Sequence, residues 1–233
     1  MSRTLADTVV AVIGATGGLG APVSRLLAER GARLVVVGRH ADRLGALDLP
    51  GAVAAVADLR DARAGDTVVR AALDAHGRLD GVVNCAGVVA FGPLVDTDDV
   101  IVEELFLTNV LGPLWLTRRV APALAATKGF IANVSAVVAD APLPGMAAYA
   151  ASKAALSAAD RALARELRRD GITVIDLRPP HTETGLATRP IAGEAPRLPV
   201  GLDPAAVAAR IVAAIEAGET DVPAAAFAPP ARS

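Results

Sequence analysis

Tyr149 and Lys153 stand four residues apart in a stretch of helical period from about Met146 to Arg169, so the two side chains are expected on one helix face. The pair suits proton transfer. A phenol with an ordinary pKa of roughly 10 is a poor acid-base catalyst at neutral pH, but an adjacent ammonium stabilises the phenolate and is expected to draw that pKa down. Tyr149 is the chain's one tyrosine, and Lys128 and Lys153 are its two lysines, so a chance pairing is a weak explanation. The bland alternative is a solvated lysine beside a core tyrosine. Ser135 closes the run Asn133, Val134, Ser135 at the end of a strand-like segment, where its hydroxyl can polarise a substrate oxygen near Tyr149 or act only as a turn or cap residue. Asn109 lies inside a long helical stretch, a poor place for asparagine. Either it faces solvent, or it marks a local backbone break that holds a water.

A second constellation stands at the other end of the chain. Gly14, Ala15, Thr16, Gly17, Gly18, Leu19 and Gly20 follow the first β-branched run and open a helix. Glycines there permit a tight turn and a close backbone approach, and the helix N-terminus offers free N–H groups to a pyrophosphate. The spacing is GxxxGxG, and the alternative is that the glycines only let strand and helix pack. Cys85, the one cysteine, sits in Asn84-Cys85-Ala86-Gly87 at a strand end, where small residues admit a close neighbour. It reads as a buried filler more readily than as a nucleophile.

These residues need a scaffold, and the hydrophobic pattern supplies one. Short apolar runs alternate with alanine-rich helical segments: Thr8 to Ile13, Gly18 to Glu29, Leu34 to Val37, Val53 to Ala57, Ala62 to Ala75, Gly81 to Asn84, Val100 to Ala126, Phe130 to Val134, Met146 to Arg169 and Ile172 to Leu177. Fully apolar strands alternating with helices predict an α/β fold, a three-layer doubly wound parallel sheet of Rossmann type, with the ligand beyond the carboxyl ends of the strands. At 233 residues one domain over 1–233 suffices, with a proline-rich loop at about 179–204 and a C-terminal helix at about 204–217, followed by a short strand within Thr220 to Phe227.

Composition narrows the classes. The hydrophobic fraction of 53% owes much to alanine, and with no unbroken apolar run of about 18 residues a spanning helix is not expected. The segment Met1 to Val12 lacks the layout of a secretory signal, which points to the cytoplasm. One cysteine allows no internal disulfide and no cysteine-based metal cluster, and no metal is expected. A net charge of −2 carries no footprint for nucleic acid or anionic lipid.

Taken in order and spacing, the residues from about Thr8 to Thr184 resemble the short-chain dehydrogenase/reductase family, single-domain branch. Gly14, Gly18 and Gly20 match its cofactor turn, which also includes Thr16, Gly17 and Leu19. Asp58, beside Leu59, matches its adenine-side acid, and Asn84, Ala86 and Gly87 match its Asn-Ala-Gly element. Asn109, Ser135, Tyr149 and Lys153 match its catalytic tetrad. The resemblance implies an NAD(P)-dependent oxidoreductase acting on a small carbonyl or alcohol substrate. Tyr149 would be general acid or base, Ser135 would hold the substrate oxygen, Lys153 would bind the nicotinamide ribose, and Asn109 would support a proton-relay water. It also implies a homodimer through the helices that carry Asn109 and Tyr149; a tetramer, the alternative, would form through the C-terminal end, where the family's closing Asp-Gly-Gly is missing. Where the family has Pro-Gly, this chain has Pro179-Pro180, which puts the backbone path there in question; His181, Thr182 and Thr184 are further candidates for that region. Val89, Phe91, Val137, Leu143 and Met146 would line an apolar substrate pocket.

The end of the second strand bears on the choice of cofactor. NAD-binding versions of this architecture place an acid about 20 residues beyond the glycine turn. Here that position is Gly38, followed by Arg39, whose permanent charge suits a 2′-phosphate. NADP(H) is therefore favoured, with NAD(H) possible if Asp42 serves the ribose; Asp42 also fits a helix N-cap. A non-catalytic dinucleotide sensor would keep the fold without needing Ser135, Tyr149 and Lys153 together. A sugar-nucleotide epimerase would need a larger C-terminal domain than this chain has.

Overall fold

The computed structural model describes residues 3–228. Seven strands form one parallel sheet in the order β3-β2-β1-β4-β5-β6-β7. They are β1 (Val9–Ile13), β2 (Arg33–Gly38), β3 (Val53–Val56), β4 (Gly81–Asn84), β5 (Phe130–Val134), β6 (Thr173–Leu177) and β7 (Asp221–Val222). The chain winds outward from β1 to β3, then returns to lay β4 against the other side of β1. That reversal opens a crevice between the carboxyl ends of β1 and β4.

Alternation along the strands decides the layers. Val10 and Val12 of β1, with Val36 and Val83, pack against α1 (Gly20–Glu29) and the late helix α7 (Pro204–Ala217) through Val23, Leu27, Ile211 and Ile215. Val9, Ala11 and Ile13 point to the opposite face and meet α3 (Ala64–His76) and α5 (Gly112–Thr127) through Val68, Ala72, Leu116, Val120 and Leu124. Both faces of β1 are thus dry, which is why its five residues are apolar without interruption. A third apolar cluster, with Phe91, Leu105, Met146 and Tyr149, lies to one side and joins α4 (Asp99–Phe106) to α6 (Ala147–Glu166).

Three sequence expectations are corrected. The helix expected over Val100 to Ala126 is divided: α4 ends at Phe106, a π-helical turn spans Leu107–Leu111, and α5 follows. Asn109 sits in that turn at 1% exposure, so solvent contact does not explain it. The first helix begins at Gly20 instead of Gly18, because Gly17 and Gly18 are spent on the turn before it. A short helix, α2 (Ala41–Gly45), starts after an extended His40, and Asp42 lies within its first turn, so it is not the N-cap. Apart from these, the run Asp99–Thr127 has the length and mean hydropathy of a membrane-crossing helix. In this fold it carries Leu116, Val120 and Leu124 against the sheet.

The segment 179–202 forms neither a helix nor a strand of the sheet. Isolated parallel bridges fasten it, Thr182 with Leu202 and Ala90 with Ala192. Asp203 then caps α7, its Oδ2 accepting the Ala206 N–H at 3.2 Å, with Pro204 in the first turn.

Candidate active site

A cleft of about 530 Å3 runs along the carboxyl edge of the sheet, from the β1 turn past β4 and β5 to the loop after β6. At the β1 end its wall is backbone. Gly14 takes a positive φ of 71° and donates its N–H to the Val37 carbonyl at 2.9 Å. A Cβ added at Gly18 would lie 2.2 Å from the Thr184 carbonyl oxygen, and one at Gly20 would lie 2.1 Å from that of Gly14. Gly14, Thr16, Gly17, Gly18 and Leu19 line the cleft, whereas Gly20 does not; Gly20 is a packing glycine.

Arg39 stands in the cleft wall beyond β2 with His40 and Arg43, and Arg43 donates to the Thr16 carbonyl at 3.3 Å. Asp42 is not part of that wall. Across from them, Asp58 and Leu59 follow β3. The Asp58 carboxylate is gripped by Arg60, with Nη2 to Oδ2 at 2.6 Å, and the same guanidinium reaches Glu104 Oε1 at 3.1 Å. The Arg60 hydrogen bonds hold the Asp58 carboxyl below its ordinary pKa. Sequence reasoning missed Arg43, Arg60 and Glu104; the charge two residues after Asp58 was the available signal for Arg60.

At β4, Ala86 and Gly87 line the cleft, but Asn84 lies behind it. The Asn84 Oδ1 accepts the Ala86 N–H at 3.1 Å, and its Nδ2 donates to Asn133 Oδ1 at 3.1 Å, so it shapes the turn from behind the wall. Asn109 is displaced from the cleft in the same way. Its Oδ1 accepts the Val88 N–H at 3.0 Å, while its Nδ2 donates to the Val88 carbonyl at 2.9 Å and to Ser152 Oγ at 3.0 Å. Both asparagines act through backbone they hold.

Ser135, Tyr149 and Lys153 all line the cleft. The Lys153 ammonium donates to the Val134 carbonyl at 3.0 Å, one residue before Ser135. Burial lowers its pKa to about 8, opposed by the nearby Asp160, Cys85 and Asp176. For Tyr149 the sequence expectation is reversed: burial pushes the phenol above its ordinary value, and Lys153 supplies no offsetting shift in this structure. Pro179, Pro180, His181, Thr182 and Thr184 complete the wall. At the two successive prolines, which donate no N–H, the backbone is tied through its carbonyls: that of Pro179 accepts from the Val137 N–H at 3.0 Å and that of Pro180 from the Thr182 hydroxyl at 2.9 Å. His181 Nε2 lies 3.4 Å from Glu183 Oε1. The apolar residues Val89, Phe91, Val137, Leu143 and Met146 flank Tyr149 in the same cavity, as the sequence suggested, joined by Leu186 and Ile191 from the loop.

Beneath Ser135 lies a polar cluster that sequence reasoning missed. Asp160, Asp176 and Arg178 are all at 5% exposure or less. Ser135 Oγ is 2.8 Å from Asp176 Oδ1. Asp176 Oδ2 accepts from Ser157 and Arg178, and Arg178 Nη2 donates to Asp221 Oδ1 at 2.6 Å. Asp160 Oδ1 accepts from Asn133 Nδ2 at 2.7 Å, and burial raises its carboxyl well above the carboxylate range. A charged residue in the middle of a strand, as at Asp176, was the one sequence signal.

A doubly wound sheet with a glycine turn at its switch point and a serine, tyrosine and lysine across the cleft defines a class of dinucleotide-dependent oxidoreductases, and comparisons agree with it. The short chain dehydrogenase family model matches residues 8–194, and the chain belongs to that family. The chain is 30% identical to dehydrogenase/reductase SDR family member 7B of Bos taurus, over 95% of this chain and 74% of the relative. It is 35% identical to an uncharacterized oxidoreductase of Methylorubrum extorquens, over 81% of this chain and 79% of that one. A short chain dehydrogenase from Burkholderia cenocepacia, solved in complex with NADP, superposes with a TM-score of 0.82 at 28% identity, covering 95% of this chain and 90% of its own.

Proposed function

We propose that this chain transfers a hydride between a nicotinamide dinucleotide and a carbonyl or alcohol carbon of a small apolar substrate, with Tyr149 as general acid or base. The observation that carries the reading is one continuous cleft that joins the glycine turn to Ser135, Tyr149 and Lys153. The residues fit the cofactor: Gly14, Gly17 and Gly18 present bare backbone to the cleft at a helix N-terminus, and Gly18 allows the close approach of Thr184, whose carbonyl oxygen a Cβ would meet at 2.2 Å. The backbone N–H groups of Gly17 to Leu19 would hold the pyrophosphate, Asp58 and Leu59 the adenine end, and Lys153, Thr182 and Thr184 the nicotinamide end. When bound, the nicotinamide supplies the hydride or accepts it.

Every proton step falls to the chain itself. Tyr149 Oη gives a proton to the substrate oxygen in reduction and takes one in oxidation. Ser135 hydrogen-bonds the same oxygen and fixes the face presented for transfer. Asn109 holds the turn containing Val88 and, in its π-helical segment, supports the relay that returns the proton to solvent. Phe91, Met146 and their neighbours exclude water and favour hydrophobic bulk. NADP(H) is the preferred cofactor because Arg39, with Arg43 beside it, faces the cleft where an acid would repel the 2′-phosphate; NAD(H) is the alternative. Homodimer formation through α4, α5 and α6 is supported by Val100 and Leu111, apolar and exposed on that side at 63% and 41%. Tyr149→Phe is expected to keep the fold and cofactor affinity while lowering turnover by at least about a hundredfold. Near-normal turnover, measured as reduced-cofactor absorbance over a panel of ketones and alcohols, would sink the mechanism.

A further inference from the structure

We infer that Arg189 is a further cofactor residue: its guanidinium, carried by the loop after β6, binds the pyrophosphate together with the β1 glycine turn. This rests on the dinucleotide reading of the cleft given above. A pyrophosphate brings two negative charges, and the start of α1 meets it with backbone N–H groups worth about half a positive charge. A cation is wanted nearby. Arg39, His40 and Arg43 stand beyond β2, Arg60 is spent on Asp58 and Glu104, and Lys153 is held at the end of β5 by the Val134 carbonyl. Arg189 is the remaining arginine of the cleft wall.

Its place follows from Thr184. A Cβ on Gly18 would come within 2.2 Å of the Thr184 carbonyl oxygen, and that same oxygen accepts from Arg189 Nη2 at 3.4 Å. One backbone carbonyl thus neighbours both the glycine turn and the guanidinium. Nothing inside the protein uses the charge. Among the described residues, Arg189 donates only to backbone, Nε reaching the Gly185 carbonyl at 2.9 Å besides the contact with Thr184, and no carboxylate pairs with it. Glu183, on the same loop, is engaged by His181 at 3.4 Å and by the Gly201 N–H at 2.7 Å. Both N–H groups of Nη1 therefore remain free on an exposed side chain at the cleft. The bland alternative is a cap for the turn at Gly185. That turn has other ties: the Gly185 carbonyl also accepts the Thr188 hydroxyl at 3.0 Å, and the Leu186 N–H goes to the Thr184 hydroxyl at 3.3 Å. A planar fork of permanent charge matches phosphate oxygens better than it matches a single carbonyl.

Calorimetric titration separates the phosphates. NADPH, NADH and ADP-ribose all carry the pyrophosphate, whereas adenosine 2′-monophosphate carries only the other phosphate. Arg189→Met keeps the aliphatic stem and removes the charge. It should weaken all the pyrophosphate ligands by about ten- to a hundredfold, the scale of one charge-assisted hydrogen bond, and leave adenosine 2′-monophosphate unchanged. Arg39→Ala should give a different pattern, weakening NADPH and adenosine 2′-monophosphate and sparing NADH. Arg189→Lys restores the charge without the Nε contact to Gly185, and should bring ADP-ribose back to within about fivefold of the wild type. A merely structural role at the turn predicts instead that Arg189→Lys is as harmful as Arg189→Met. Unchanged affinity for NADH and ADP-ribose in Arg189→Met, losses confined to NADPH and adenosine 2′-monophosphate, or equal losses in Arg189→Met and Arg189→Lys each overturn the inference while leaving the proposed reaction intact. Failure of the wild type to bind any of NADPH, NADH and ADP-ribose would instead bring down the dinucleotide reading itself, and this inference with it.

Discussion

Around Gly14 to Gly20 the cleft is shaped by backbone from which side chains have been removed, and an added Cβ at Gly18 or Gly20 would fall within 2.2 Å of a carbonyl oxygen. Around β5 and β6 the wall rests on the reverse arrangement, a packed cluster of charged and polar side chains under Ser135, with Asp176 and Arg178 inside it. In the first region the wall depends on close backbone approaches at Gly18 and Gly20, and a side chain at either would push the wall apart. The second is a set of mutually dependent polar contacts, in which harm comes from leaving a group without its partner. Substitutions should therefore act by volume at one end and by hydrogen bonding and charge at the other.

The largest expected effect is at the point where the two regions touch. Gly18→Val places a branched side chain against the backbone of Thr184, where no flexible side-chain end can give way. Cofactor binding should be lost beyond detection by fluorescence titration while the thermal melt remains cooperative. Retained affinity would show that the wall is compliant and would break the comparison. A step smaller is Arg39→Ala, which removes no packing and takes one charge from the cleft wall. NADPH affinity should fall by about 1.5 to 3 kcal/mol, with little change for NADH, if a charge-assisted phosphate contact is lost. Equal losses for the two cofactors, or a wild type that already prefers NADH, would refute the assignment.

The two regions also differ in how far the sequence revealed them. The glycine turn was legible because φ and close approach act through residue type at fixed local spacing, as at Gly14 and Gly18. Tyr149 and Lys153 were legible because a helix makes positions four apart neighbours. The parallel sheet with helices on both faces followed from the alternation of apolar runs with helices. The division of the long helix at Asn109 was open to two readings, since its cause is the Val88 backbone, twenty-one residues away. Asn84 matched the family pattern, yet only its buried partners Ala86 and Asn133 show that it stands behind the cleft. The cluster beneath Ser135 was hard to see because β5, α6 and β6 bring it together: a charge inside an apolar strand at Asp176 was its one trace, and a lone Asp160 in a helix reads as surface. The tyrosine's direction of shift was misjudged for the same reason, since burial acts on Tyr149 from residues distant in sequence.

Asp160 sharpens the comparison through pH. Its carboxyl is held well above the ordinary range, first by burial, so it keeps its proton to higher pH in the fold than in the unfolded chain. The unfolded state then binds fewer protons, so stability falls as pH rises above the unfolded pKa of about 4. Asp160→Asn keeps an acceptor for Asn133 and removes that cost. Its melting temperature should match the wild type near pH 4 and exceed it at pH 7 by about 2 to 4 °C for each kcal/mol recovered. A variant less stable at pH 7 would mean that Asp160 is ionised and holds the cluster by charge.

The smallest effect is expected at Cys85, at the end of β4, the strand that lies between β1 and β5 in the sheet. Its N–H extends the sheet by donating to the Ile13 carbonyl at 3.0 Å, and its side chain packs against the α1 and α7 face of the core while bordering the cleft. Burial pushes the thiol up to about 12, and the nearby Lys153 only partly offsets this, so thiolate is scarce at any pH where the enzyme works. The residue fills space of about the size of an alanine plus one atom. Cys85→Ala should leave kcat within a few-fold and cost about 1 kcal/mol of stability or less, since one buried atom is removed. The same chemistry predicts that iodoacetamide at pH 7.5 leaves the folded enzyme active for hours and reacts promptly once it is denatured. Loss of activity in Cys85→Ala with cofactor affinity intact, or rapid inactivation of the folded protein that bound cofactor prevents, would give the thiol a role in the reaction and would extend the side-chain chemistry of the β5–β6 region to the glycine side of the cleft.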